Sequence, residues 1–587
     1  MRHHAPRIAT AAGTIAALAG MLAAGGLAPA SAVTARPRAT LYTLTFRATN
    51  LAGRPDSDGT MNLISVDDTS LPKHSYVKFT HGVATYQVPA GHYFALGSLG
   101  GVPPAASPTR YVVLPQITVT GNRTVAVRES AASSPVTMTT PRPATALDTD
   151  IWLERSGAAG RPIVFELYNP SDGRMWLSPE HTRPPVGTLR VAVNQHLESP
   201  PGSTVPYEYT LSYTDPPGII PSQHYVATAR QLATVHERFY QPVKTHGGWA
   251  LNGSLPGTNP NNNADWFGFI EPAGPTLSYP GRLTEYAGGT GTATMEWFGQ
   301  YFSVPGAPTA PGDIRLLHPG VKLTENWGAY PLHTAANVLL TSKPNMFGAM
   351  LPSASRDGRT LTLQVDPFDD NQPGHVIGWL GSTKTSKVTG TYQVDQNGTK
   401  IAGGNAVSGS APGTGFYTKT TLPSAKPSTI RFSLQVSRTG PDYPLSTADR
   451  TVWTWHTAPP GAAKLPAGWT CVQYQRVSNC QVQPMLMLRY AVAGLSPHGA
   501  TPAGRQVLHL SVGHLQAAAA SAITRAAVSV SVNGGKSWHQ ASVTGHDGHY
   551  TAVFSAPAGA KVSLRTSAAD AAGGTVTETI ASAYQIT

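Results

Sequence analysis

Hydrolytic chemistry requires a few residue types at close quarters, and the 587-residue sequence can be searched for them directly. A serine hydrolase needs an activated Ser, a His base and an orienting acid. No Gly-x-Ser-x-Gly elbow occurs, and there is no Asp-Ser/Thr-Gly, His-Gly-Thr or Gly-Thr-Ser-Met-Ala run. The nearest pieces, His81-Gly82-Val83, Gly291-Thr292-Ala293 and Gly413-Thr414-Gly415, lack a nucleophilic Ser in the right place. Glycoside hydrolysis needs two facing carboxylates. Glu271, Glu285, Glu296 and Glu325 fall in a region that also holds Trp266, Trp297 and Trp327. These three indoles are possible ligand-contact aromatics, able to stack on sugars. The plainer reading of the same residues is core packing around hydrogen-bonded carboxylates.

Metal chemistry needs converging ligands. His546-Asp547-Gly548-His549 is the densest cluster, but it sits between two strand-like runs and reads as a polar hairpin loop. Asp366, Asp369 and Asp370 have D-x-x-D-D spacing, whereas a calcium loop has D-x-D-x-D. No His-Glu-x-x-His run appears, and no cofactor or metal is expected. The only two cysteines, Cys471 and Cys480, are too far apart for a Cys-x-x-Cys motif and have no Cys/His cluster beside them. In an exported chain they are expected to form a local disulfide. Such a staple contributes about 2–3 kcal/mol.

The elements around these residues read as strands. In the run 428–437, Ile430, Phe432, Leu434 and Val436 alternate with Arg431, Ser433 and Gln435, which puts four apolar side chains on one sheet face. Tyr42-Leu44-Phe46, Leu361-Leu363-Val365, Leu508-Leu510-Val512 and Val528-Val530-Val532 repeat the pattern, and alternation in 232–240 permits a further strand. Asp357-Gly358, Asn397-Gly398 and Asn533-Gly534 supply hairpin turns. The Ala-rich stretch 515–527 is compatible with a short helix or a loop. Gly (59) and Pro (51) are abundant, charged residues are only 12% and apolar residues 40%, as short strands joined by Gly/Pro turns require. The expected fold class is all-β, with several β-sandwich (immunoglobulin-like or prealbumin-like) domains in tandem. The divisions expected are an N-terminal sandwich (33–130), a linker (131–146), a second β-rich domain (147–308), a third with the local disulfide (309–480), and a C-terminal immunoglobulin-like sandwich (481–587).

The N-terminus reads as a secretory signal peptide over residues 1–32. Arg2 and Arg7 precede an apolar run, and Ala30-Ser31-Ala32 offers a cleavage site. Secretion is therefore expected, with no transmembrane segment after cleavage. The net charge of +11 is scattered, without the Lys/Arg block that marks nucleic-acid binding. A cationic surface also favours weak attraction to an anionic cell envelope.

Ser531-Val532-Asn533-Gly534-Gly535-Lys536-Ser537-Trp538 resembles an Asp-box hairpin, with Asn533 in place of the Asp and Ser537 in place of the Thr. One copy implies a hairpin rather than a sialidase propeller. Further segments resemble the long non-catalytic region downstream of the protease domain in large secreted subtilisin-like peptidases of actinobacteria. They are Tyr42-Thr43-Leu44-Thr45-Phe46, Val88-Pro89-Ala90-Gly91-His92-Tyr93, Tyr207-Glu208-Tyr209 with Gln231-Leu232-Ala233-Thr234-Val235, Arg282-Leu283-Thr284-Glu285-Tyr286 with Glu296-Trp297, Glu325-Asn326-Trp327, Val452-Trp453-Thr454-Trp455, Met487-Leu488-Arg489-Tyr490 and Val562-Ser563-Leu564-Arg565. The resemblance spans most of the mature chain. It carries no catalytic residue and implies accessory domains without the protease domain.

The expected function is a secreted, non-catalytic, multi-domain binding or accessory protein whose partner is an extracellular protein or a cell-envelope polymer. A secreted peptidase-related hydrolase with an unrecognised active site is the alternative.

Overall fold

The computed structural model describes residues 40–587 except 72–73, 101–108, 161, 170–173, 181–182, 215–218, 220, 257–265, 271–275, 290–295, 303–314, 337–352, 376–384, 408–414, 458–470, 474–475 and 479. The side chains of 74–75, 248, 250–256, 266–270, 276, 296–302, 315–316, 471–473 and 476–478 also lie outside the described set. The proposed signal peptide therefore falls outside it.

The chain is all-β and builds tandem β-sandwiches. Two short 3-10 turns, Glu129–Ala131 and Ala229–Gln231, are the only helical elements among the described residues. The alternating runs form strands because a period of two puts every second side chain on one sheet face. Ser428–Thr439 buries Ile430, Phe432, Leu434 and Val436 and turns Arg431, Ser433 and Gln435 outward. Leu232–Phe239 is likewise a strand. Of the Ala-rich stretch, residues from 523 onward are the strand Ile523–Ser531. Asn397 and Gly398 take positive φ (51° and 81°), the geometry of a tight two-residue hairpin turn.

The first half is a stack of sheets. A three-stranded sheet that includes Leu41–Thr49 and Val83–Pro89 packs on a seven-stranded sheet, with Leu44, Phe46, Met61, Leu63 and Val112 between them. The opposite face of that sheet offers Ile64, Phe94, Leu96 and Val113 to a second, central seven-stranded sheet. Gly91–Leu99 is consequently buried on both faces. The central sheet has the order Ile163–Asn169, Thr145–Arg155, Leu189–Glu198, Tyr207–Thr214, Gly281–Gly289, Leu232–Phe239, Lys322–Trp327. A five-stranded sheet that contains Thr245–Pro256 and Thr276–Tyr279 contributes Trp249, Leu277 and Tyr279 to a small cluster with Phe239, Leu283 and Trp327 of the central sheet.

The second half shares one core. A nine-stranded sheet runs Thr399–Asn405, Lys387–Gln396, Ser428–Thr439, Ala448–Thr457, Thr575–Ile586, Lys561–Asp570, Ile523–Ser531, His539–Gln540, with Ala500–Thr501 beside Thr575–Ile586. Its inner face meets two smaller sheets, through Leu361, Leu363 and Val365 on one and Leu488, Tyr490, Leu508 and Leu510 on the other.

Sheet boundaries do not coincide with the divisions read from composition. Residues 131–146 hold the strand Ser134–Thr139 and the start of Thr145–Arg155 rather than a linker. Lys322–Trp327 pairs with Leu232–Phe239 across 308/309, and Thr575–Ile586 pairs with Ala448–Thr457 across 480/481. Pro and Gly mark turns equally well inside a sheet and between domains. Cys471–Gln473 and Arg476–Ser478 form a small antiparallel pair and Cys480 is buried; the side chain of Cys471, and so its expected bridge, lies outside the described set.

Candidate functional site

The central sheet has an unusual face. Tyr207, Tyr209 and Leu211 point into an apolar core, and the alternate residues of the same strand, Glu208, Thr210 and Ser212, are also buried. Register sets His196 beside Asp148 and Thr210, Asn194 beside Ser212, and Glu208 beside Glu285. His196 Nε2 lies 3.0 Å from Glu208 and its Nδ1 lies 3.8 Å from Asp148, the latter a charge contact. Burial opposes charge on the His196 ring, but the two carboxylates outweigh it and push the ring up to about 10. Glu285 accepts the Trp249 indole N–H at 2.7 Å, and Glu237 accepts that of Trp327 at 2.6 Å. The two indoles meet edge to face at 4.7 Å. Burial and then the Glu237 and Glu208 charges hold the Glu285 carboxyl well above its ordinary value. The side-chain atoms of Asn194, Thr210 Oγ1, Ser212 Oγ and Glu285 Oε2 have no hydrogen-bond partner.

A second polar cluster sits under the nine-stranded sheet. Glu578 accepts from Tyr490 Oη at 2.7 Å and Thr451 Oγ1 at 3.1 Å, and lies 3.1 Å from His333 Nδ1. Asp449 accepts from Thr334 and Thr451 at 2.7 Å each, and burial pushes its carboxyl up to about 7. His196, His333, Glu208, Glu285 and Glu578 are all at most 1% exposed. A group sealed to this degree braces the fold, and a substrate in solvent does not reach it.

The residues singled out in the sequence are dispersed. Trp266 and Trp297 lie in the strands Trp266–Ile270 and Glu296–Phe302, with side chains outside the described set, as is that of Glu296; Glu271 is outside it altogether. Trp327 is only 3% exposed, sandwiched between Trp249 and the His375 ring, which stacks on it at 3.9 Å and 7°. It therefore offers no surface to a ligand, and the expected ligand-contact role of Trp327 is corrected: the indole is covered by the neighbouring sheet and by His375. Glu325 lies 3.7 Å from His375 Nε2. Asp370 is occupied by Gly328 N–H, Gln372 N–H and His375, and Asp369 by Asp370 N–H. Asp366 is fully buried, and burial pushes its carboxyl up to about 8. His546 to His549 close the hairpin between Ser542–His546 and His549–Ala556. Among the described residues no group of three or more His, Cys, Asp or Glu is placed to hold a metal ion.

The open feature is the outer face of the nine-stranded sheet, where Gln435, Arg450, Arg565, Ser567 and Thr577 are exposed. Register aligns its outward residues into rows that cross the strands. One row runs Gln435–Arg450–Thr579–Arg565–Ser529. The next runs Gln393–Ser433–Val452–Thr577–Ser567–Ala527. The third runs Asp395–Arg431–Thr454–Thr575–Ala569–Arg525. Long side chains thus flank a middle row of mostly short ones. Toward the Thr399–Asn405 edge lies a depression of about 380 Å³ whose lining includes Thr391, Gln393, Lys400, Ser433, Gln435 and Arg450. The Asp-box-like turn closes the other edge: Ser537 N–H donates to Asn533 Oδ1 at 3.0 Å, Gly535 N–H donates to Ser531 Oγ at 2.9 Å, and the Arg565 guanidinium lies over the Trp538 ring at 4.1 Å. Alternation in the sequence set Arg431, Ser433 and Gln435 apart from the apolar face of Ile430, Phe432, Leu434 and Val436. That Arg450 and Arg565 stand in one row depends on strand register, which has no local signal.

No family model matches the chain, and no curated protein matches it. Among solved structures it is similar to the TIE protein of Bacillus anthracis, at 8% identity over 49% of this chain and 50% of that one with a TM-score of 0.12, so that it spans about half of that protein's length. BcpA, the major pilin subunit of Bacillus cereus, is 10% identical over 49% of this chain and 99% of that one, with a TM-score of 0.11. The BSP domain of a biofilm-associated protein is 8% identical over 93% and 98%, with a TM-score of 0.12. Likeness at this level assigns no family; the class defined by the fold is a tandem β-sandwich protein.

Proposed function

We propose that this chain is an exported, non-catalytic β-sandwich protein that binds an extracellular partner through the outer face of its nine-stranded sheet. One contrast carries the reading: the histidine–carboxylate groups with perturbed protonation are sealed inside, whereas the broad polar face is open and continuous across both halves of the sheet. Binding uses an accessible, fixed array of donors and acceptors, which a sheet supplies without moving. The signal-peptide-like N-terminus supports export. Among the described residues no helix is long and apolar enough to cross a membrane. The resemblance to peptidase accessory regions supports a role beside a separate extracellular enzyme.

The test is direct. Purified mature protein is incubated with casein and, separately, with a serine-directed active-site probe. Neither cleavage nor labelling is expected, and activity that copurifies with the chain would overturn the reading.

A further inference from the structure

We infer that the trough between the two outer rows takes a linear anionic polysaccharide, laid across the strands. This rests on the binding reading above and names the partner. The middle row supplies a floor of short side chains, Ser433, Val452, Thr577, Ser567 and Ala527, half-buried or exposed. Arg450 and Arg565 rise on one side of it, Arg431 and Arg525 on the other. At a strand rise of about 3.3 Å per residue, flanking rows four residues apart stand about 13 Å from each other. Six strands spaced about 4.8 Å apart give the trough a length of about 24 Å. Those dimensions suit an extended chain rather than a compact ligand.

Charge selects the occupant. The three rows and adjoining Lys400 carry five cations and one acid, Asp395, which is already paired with Arg431 at 3.3 Å. Among the described residues Arg450, Arg525, Arg565 and Lys400 have no acidic partner. Guanidinium groups present planar forks matched to carboxylates, phosphates and sulfates. Ser and Thr hydroxyls donate and accept, as a hydroxyl-rich chain requires. Single-stranded nucleic acid binds on open aromatic platforms, and the Trp538 indole at this face is already covered by Arg565. A protein partner needs apolar pockets for anchor residues, and of the floor residues only Val452 and Ala527 are apolar.

Polygalacturonate, a linear polymer with a carboxylate on each sugar, is the probe. Binding to the mature full-length protein is measured by calorimetry at low and moderate salt. The expected result is saturable binding that weakens as salt rises and is reduced at least about tenfold in the R450A/R525A/R565A variant, because each arginine makes a charge-assisted contact. The control variant R47A/R128A/R238A removes the same charge from other exposed positions and is expected to bind as wild type. Equal losses in the two variants, an unaffected trough variant, or equally tight binding of neutral dextran or of single-stranded DNA would overturn the proposal. Failure here with no casein cleavage and no probe labelling leaves the non-catalytic reading standing, whereas labelling removes that reading and leaves the trough result to be judged alone.

Discussion

The Glu285 carboxyl group accepts the Trp249 indole N–H at 2.7 Å in a site where both residues are at most 1% exposed. One oxygen is satisfied and the other, Oε2, has no partner. Glu237 and Glu208 lie close enough for their charges to disfavour ionisation. The folded state therefore holds Glu285 protonated under conditions in which the unfolded chain ionises it.

The pH dependence follows with a definite sign. Between the ordinary carboxyl value of 4.5 and the raised value of Glu285, folding takes up a proton, so stability falls as pH rises through that window. His196 acts in the same direction. Its contribution is complete below 6.5 and is lost as pH rises through its folded value of about 10. Urea melts are expected to show higher stability at pH 5 than at pH 9. Glu285→Gln keeps an acceptor for Trp249 and removes the charge. Because the variant needs no proton to fold, its stability should fall less than that of wild type between pH 5 and pH 9, by about 1.4 kcal/mol for each pH unit over which folding of wild type takes up a proton at Glu285. A variant whose pH profile parallels wild type would show that Glu285 is ionised in the fold.

Arg356 tests a different kind of burial. It is 1% exposed and its guanidinium donates to Gly358 O at 2.8 Å, Thr457 Oγ1 at 2.8 Å and Ala425 O at 2.7 Å. These contacts tie the strand Ala354–Asp357 to the nine-stranded sheet through Thr457. A lysine reaches one of these acceptors as a point charge and cannot fork between all three. Arg356→Lys is expected to cost about 2–4 kcal/mol, two lost charge-assisted bonds with their acceptors left buried. Chemical denaturation measures it; a cost no larger than that of a surface Arg→Lys change would refute the bracing role.

Particular residues show how far the sequence could be read. Ile430, Phe432, Leu434 and Val436 announce their strand because local alternation reports one buried face. The same logic does not reach Glu208. It alternates with Tyr207 and Tyr209, yet a second layer covers its face and Glu208 is 1% exposed. Trp327, expected as a ligand-contact aromatic, is likewise covered by a neighbouring layer. Alternation reports that a strand has two unlike faces and is silent on what packs against the polar one. The Arg450–Arg565 row was invisible because cross-strand register joins segments far apart in the chain, as were the sheets that continue across 308/309 and 480/481.

That continuity predicts that the second half unfolds as one cooperative unit, and Trp453 is the residue on which to test it. Its ring is 2% exposed, stacks on Phe432 at 5.1 Å and 10°, and donates its indole N–H to Leu486 O at 2.9 Å. Phe432 and Trp453 precede residue 480 and Leu486 follows it, so the contact joins both sides of the expected domain boundary. Trp453→Ala removes a large buried aromatic and should cost about 3–5 kcal/mol. Because Ala448–Thr457 pairs with Thr575–Ile586 in the same sheet, the loss should spread to both. Hydrogen exchange is expected to show the amides of Ser428–Thr439 and of Thr575–Ile586 losing protection together and by similar free energies, as members of one unfolding unit do. If Lys561–Asp570 and Thr575–Ile586 kept wild-type protection while Ser428–Thr439 opened, the C-terminal segment would be an independent domain, and the shared sheet would be a docking of two units rather than one fold.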